Sequence, residues 1–212
     1  AALRMHLRVA AVALLPALPL AAQGAPAVPT FREVAGHEIG ARIATHAEAL
    51  RWLERVAATS PRLRLVRLGR TWEGRELVTA IVSDPANLAR LDAIRATSVR
   101  LSAPAGADEV AQARAALAGQ PVVAWLGGSI HGNELSGSEA LLQLVEHLVT
   151  RDDAATREVL RATVVLVDPM LNPDGRDMFA QQHHDLAGET PSALAADASR
   201  DFGGFWSQGF RG

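Results

Sequence analysis

An α/β fold, with a mixed, centrally parallel sheet and helices on both of its faces, is what this chain of 212 residues predicts. Three observations carry that expectation. Two short runs rich in β-branched and aliphatic residues, Val122–Leu126 and Thr163–Val167, have the length and composition of buried strands. Each run leads into a polar, glycine-containing turn. Helical periodicity fills the intervals, and strands alternating with helices point to parallel pairing.

The chain opens with the layout of a secretory signal peptide over residues 1–24. Arg4, His6 and Arg8 supply positive charge, Val9–Leu20 is apolar, and Ala21 to Ala25 offers small residues for cleavage. The apolar stretch is well short of the roughly 20 residues that span a bilayer. Met5 is the expected initiator. Residues 25–30 read as a Pro- and Ala-rich linker, and 31–212 as one domain without internal repeats. The expected product is exported, periplasmic or extracellular, with no stable membrane insertion after signal cleavage. Every basic residue is Arg and Ala is abundant, as in a GC-rich bacterial genome.

Thr45-His46-Ala47-Glu48 has the pattern of a capping box, and Ala49, Leu50, Leu53, Val56 and Ala57 follow at helical spacing up to Pro61. Leu63–Arg67 alternates apolar and basic residues, Gly69–Gly74 is a turn, and Leu77–Val82 is a second strand, so the two form a hairpin. Ala86–Ala96 and Asp108–Leu117 read as helices joined by a loop over Ser98–Gly106. Ser136-Gly137-Ser138-Glu139 reads as a second capping box, opening a helix that runs to about Thr150. Asp152 and Asp153 begin a short helix ending near Arg161. Gln181–Ala198, with His183 and His184, reads as a solvated loop.

Net charge is −2, which gives no electrostatic basis for nucleic-acid binding. There is no Cys, so thiolate metal sites and disulfides are excluded. A metal here would take His and carboxylate ligands. His131 and Glu134 supply one of each, with two residues between them, at the carboxyl end of the first buried run. That is where open α/β sheets hold their ligands. Catalytic zinc sites often combine His and carboxylate donors and leave a position open for water. The second run ends in Asn172-Pro173-Asp174-Gly175, strong turn chemistry that would wall the same pocket, with Arg176 able to reach an anion. The Arg200 guanidinium is a planar fork matched to a carboxylate.

Four motifs in order resemble the zinc carboxypeptidases of the carboxypeptidase A type: Arg70 to Glu76 (RTWEGRE), GGSIHGNELSGSEAL around His131 and Glu134, NPDGR at Asn172–Arg176, and SRDF at Ser199–Phe202. The resemblance spans about residues 40 to 212. It implies a zinc-dependent metallocarboxypeptidase that hydrolyses peptide bonds at the C-termini of peptides and proteins. Zn2+ is the implied cofactor, with His131 and Glu134 as its first two ligands. Arg200 would bind the substrate's terminal carboxylate, with Ser199 standing where the family has Asn, and Asn172 would line the substrate site. Arg176 is the residue implied to steady the oxyanion. The family's third zinc ligand and catalytic Glu lie further along than Gly212, so the resemblance implies a C-terminally incomplete domain. The alternatives are a cell-wall peptide peptidase or amide deacylase of the same fold, and an inactive binding module.

Overall fold

The computed structural model describes residues 27–102 and 106–187. The expected signal segment lies outside the described residues, as do Ser199 and Arg200. Of the expected linker, residues 27–30 are described, and they are docked. Val28 packs on the core, the Pro29 carbonyl accepts from the indole of buried Trp52 at 3.0 Å, and Thr30 caps α1 (Phe31–Ala35).

Helix α2 (His46–Thr59) forms as read, with both arms of its capping box in place. The Thr45 side chain accepts from the Glu48 N–H, and the Glu48 carboxylate reaches back to the Thr45 N–H at 2.9 Å. His46 is buried in its first turn, with Nε2 at 2.7 Å from the Glu76 carbonyl. The hairpin also forms: β1 (Leu63–Arg70) pairs antiparallel with β2 (Glu76–Val82), with an irregularity between Arg67 and Gly69.

The next segment is one helix in the sequence reading and two in the structure. Asp84 caps α3 (Pro85–Leu88), the chain breaks at Ala89 and Arg90, and α4 runs Leu91–Ser102, through part of the expected loop. Helix α5 (Ala107–Ala116) leads through a 3-10 turn, Leu117–Gly119, into β3 (Val122–Gly127). Then come α6 (Leu135–Thr150), α7 (Ala154–Ala162, capped by Asp153), β4 (Thr163–Asp168) and α8 (Pro173–Ala187). Helix α8 absorbs His183 and His184, which the sequence assigns to a loop.

Among the described residues the sheet has the order β1-β2-β4-β3. Strand β2 meets β4 antiparallel, with Ala80 opposite Val167, and β3 meets β4 in parallel from Val122–Thr163 to Gly127–Asp168. The mixed sheet with parallel pairing is therefore observed, flanked by helices. Trp52, Leu53 and Val56 of α2 and Leu142 and Val145 of α6 bury against Ala80, Val82 and Val167. Strand β4 is buried as expected, but β3 is not. It forms an edge among the described residues, with Val122 67%, Val123 43% and Trp125 61% exposed. An apolar run fixes strand character; what covers the strand is decided by the rest of the fold.

Candidate functional site

The turn over residues 128–134 joins β3 to α6 and is strapped to the chain leaving β4. The Gly128 N–H donates to the Asp168 carbonyl at 3.0 Å, Leu171 N–H to Gly128 O at 2.8 Å, and Asn172 N–H to Ser129 O at 3.0 Å. Ser129 is 3% exposed and left-handed at φ 53°, a conformation unusual for a residue with a Cβ. Two residues on, His131 Nδ1 lies 3.0 Å from Glu134 Oε1. The His131 side chain is 26% exposed and that of Glu134 54%, so the pair is accessible. The structure thus brings together the two residues singled out as metal ligands.

The second capping box does not form. Helix α6 starts one residue earlier than read, at Leu135, with Glu134 in the cap position and no side-chain cap bond. Ser138 and Glu139 are engaged elsewhere. The Ser138 hydroxyl donates to the Pro169 carbonyl at 2.6 Å, and Glu139 Oε1 accepts from the Ala44 N–H at 2.9 Å and from the Arg176 guanidinium.

Arg176, the residue implied to steady the oxyanion, lies in the interior. Its side chain is fully buried, and it donates to Ala44 O at 3.2 Å, to Leu135 O at 3.3 Å and to Glu139. Burial pulls its pKa below the ordinary guanidinium value, and the charge of Glu139 opposes that shift. A guanidinium enclosed in this way braces α6 to α8. Asn172 likewise has structural work, because its Oδ1 accepts from the Gly175 N–H at 2.9 Å at the start of α8.

The hairpin tip docks on the same turn of α8. Asp174 accepts from Thr71 Oγ1 at 2.7 Å, from Arg75 at 2.8 Å and from the Glu73 N–H at 3.3 Å. Burial raises the Asp174 pKa, but these three bonds outweigh it and hold the carboxyl below its usual range. Arg75 also reaches Asp177 at 2.7 Å, and Glu73, Asp174 and Asp177 together raise its pKa against the opposing effect of burial. A cleft lined by Arg42, Arg75, Leu135, Glu139 and Asp177 opens beside α8. It reaches the start of α6 but includes neither His131 nor Glu134.

Imidazole nitrogen and carboxylate oxygen are donor types that zinc takes. Both stand on one turn within 3.0 Å, so the pair fits as two ligands of a shared divalent ion. Among the described residues no group of three or more His, Asp or Glu is arranged so that it could hold a metal ion. What sequence reasoning missed is the scaffold behind the pair: Ser129, Ser138, Glu139 and the inward course of Arg176. The partners of Ser138, Glu139 and Arg176 are distant in the chain, and no local pattern announces them.

The family model for zinc carboxypeptidases matches residues 49–212. The chain is similar to mouse carboxypeptidase Z, 25% identical over 190 residues, covering 86% of this chain and 24% of that protein. It is also similar to the mouse carboxypeptidase N catalytic chain, 35% identical over 81 residues, covering 35% of this chain and 18% of that protein. It therefore spans about a quarter or less of these relatives' length. Among solved structures, carboxypeptidase A from Helicoverpa armigera superposes with a TM-score of 0.45 at 19% identity, over 64% of this chain and 26% of that one. With most of its length matched by that model, this chain belongs to the zinc carboxypeptidase family.

Proposed function

We propose that the chain is part of a zinc-dependent metallocarboxypeptidase that hydrolyses peptide bonds at the C-termini of peptides and proteins. The observation that carries this reading is the convergence of His131 and Glu134 at the carboxyl end of β3, in a chain of this family. Zinc, when bound, supplies a Lewis acid and lowers the pKa of a bound water toward about 7. The chain's own residues hold and orient. His131 and Glu134 are the ligands. Asn172, on the strapped turn beside them, and Ser199 and Arg200 form the substrate-facing set, with the Arg200 fork on the terminal carboxylate. Arg176 is assigned to the scaffold, because its buried guanidinium contacts Glu139 and backbone carbonyls.

The leader-like residues 1–24 support export to the periplasm or the extracellular space. No helix among the described residues is long and apolar enough to cross a membrane. The test is zinc content, together with hydrolysis of a blocked dipeptide carrying a free C-terminus, with and without chelator, in the whole protein. Wild type is expected to contain zinc and to lose activity with chelator. Chelator-insensitive hydrolysis, or unchanged zinc stoichiometry in His131→Ala, overturns the reading.

A further inference from the structure

We infer that Gly132 and Arg176 are positioning residues, and that the first turn of α8 is the mould against which the His131–Glu134 turn is set. The inference rests on the metal-centre reading above and adds what holds the two ligands in register.

Gly132 lies between the two ligands and is buried. Its φ is not among the positive ones, so conformation alone does not call for glycine. Space does. A Cβ at residue 132 would lie 2.1 Å from the carbonyl carbon and oxygen of Gly175 and 2.6 Å from the Arg176 nitrogen. These are backbone atoms, which cannot swing aside as a side chain would. The turn between β3 and α6 therefore rests on the α8 backbone with no room for a methyl group.

The same turn of α8 grips the chain again just past the second ligand. The Arg176 guanidinium donates to the carbonyl of Leu135, the residue after Glu134, while its other nitrogens hold Ala44 O and Glu139. The ligand pair is thus fixed at one point between its members and at a second beside them. A methyl at residue 132, or loss of the fork at 176, moves His131 relative to Glu134. Partners that orient metal ligands typically contribute 10–100-fold to metal affinity.

The test titrates Co2+ calorimetrically into the full chain as wild type, His131→Ala, Gly132→Ala, Arg176→Lys and Gly137→Ala, with circular dichroism and thermal melts in parallel to count only folded protein. Arg176→Lys keeps the charge opposite Glu139 and so the fold, but loses the fork. Gly137→Ala is the control: it lies on α6, where an added Cβ meets nothing nearer than 3.8 Å. Gly132→Ala and Arg176→Lys are expected to bind Co2+ at least tenfold more weakly, and Gly137→Ala like wild type. If His131→Ala binds as wild type does, the metal-centre reading falls. If His131→Ala loses binding while both other variants keep wild-type affinity and lose only stability, the positioning inference is overturned. Should Gly132→Ala fail to fold, Arg176→Lys decides alone.

Discussion

The indole Nε1 of Trp125 donates to Asp168 Oδ2 at 2.6 Å across the parallel β3–β4 pair, so a 61% exposed ring is anchored to a carboxylate that is only 8% exposed. Thr79 donates to the other oxygen of the same group from β2. Trp125→Phe keeps an aromatic ring but leaves the buried acceptor one donor short. The expected cost is about 1–2 kcal/mol. It should appear as a lower urea midpoint with unchanged slope. Adding Thr79→Val should cost a different amount than it does alone, since both donors share one acceptor.

Ser129 stores conformational strain two residues before His131. Ser129→Val places a β-branched side chain in the left-handed region and should destabilise by about 2 kcal/mol. Ser129→Gly removes the strain and also the 3.2 Å bond from its hydroxyl to the His131 carbonyl, so it should stay within about 1 kcal/mol of wild type. Thermal melts of the two variants, read side by side, check the sign and the order.

The Arg176–Glu139 pair is enclosed, with side chains 0% and 13% exposed. Arg176→Met leaves a carboxylate with no counter-charge and should cost about 3–5 kcal/mol. The double variant Arg176→Met/Glu139→Met removes both charges and should recover part of that loss. A double-mutant cycle by chemical denaturation gives the coupling. An additive result would show that the two side chains do not act as a pair.

Acid should unfold the protein through two internal carboxylates. Burial raises the Glu48 pKa, but bonds from Thr45 and Arg42 bring it below the usual value, and Asp174 is lowered in the same manner. A carboxyl depressed in the folded state binds fewer protons there than in the unfolded chain. Its stabilisation is therefore complete above an unfolded pKa of about 4 and is lost as pH falls through the folded value. Denaturation midpoints measured from pH 7 down to about 2.5 should decline below about pH 4. Asp174→Asn should flatten that decline while being less stable at pH 7.

Legibility in the sequence followed the range of the interactions. The capping box at Thr45 and Glu48 is a contact three residues apart, and it was readable to the atom. The β1–β2 hairpin was readable for the same reason. Ser136 to Glu139 has the same Ser/Thr-x-x-Glu pattern, yet Glu139 is claimed by Ala44 and Arg176, which lie far away in the chain. The proximity of His131 and Glu134 was legible because they share one turn. The inward course of Arg176 was not, since it depends on Ala44 and Glu139, which sequence spacing cannot place beside it. Strand β3 read as buried from its composition, but what covers a strand is set by elements elsewhere.

The register of the sheet carries a kinetic consequence. Strands β1 and β2 meet across a tight turn and can associate as soon as both exist. The Ala80–Val167 alignment that joins them to the parallel pair closes a loop containing α3 through α7, most of the described chain. On a ribosome the early hairpin therefore waits for residue 168 to emerge before its second edge is filled, and closure of that long loop is expected to set the pace of assembly.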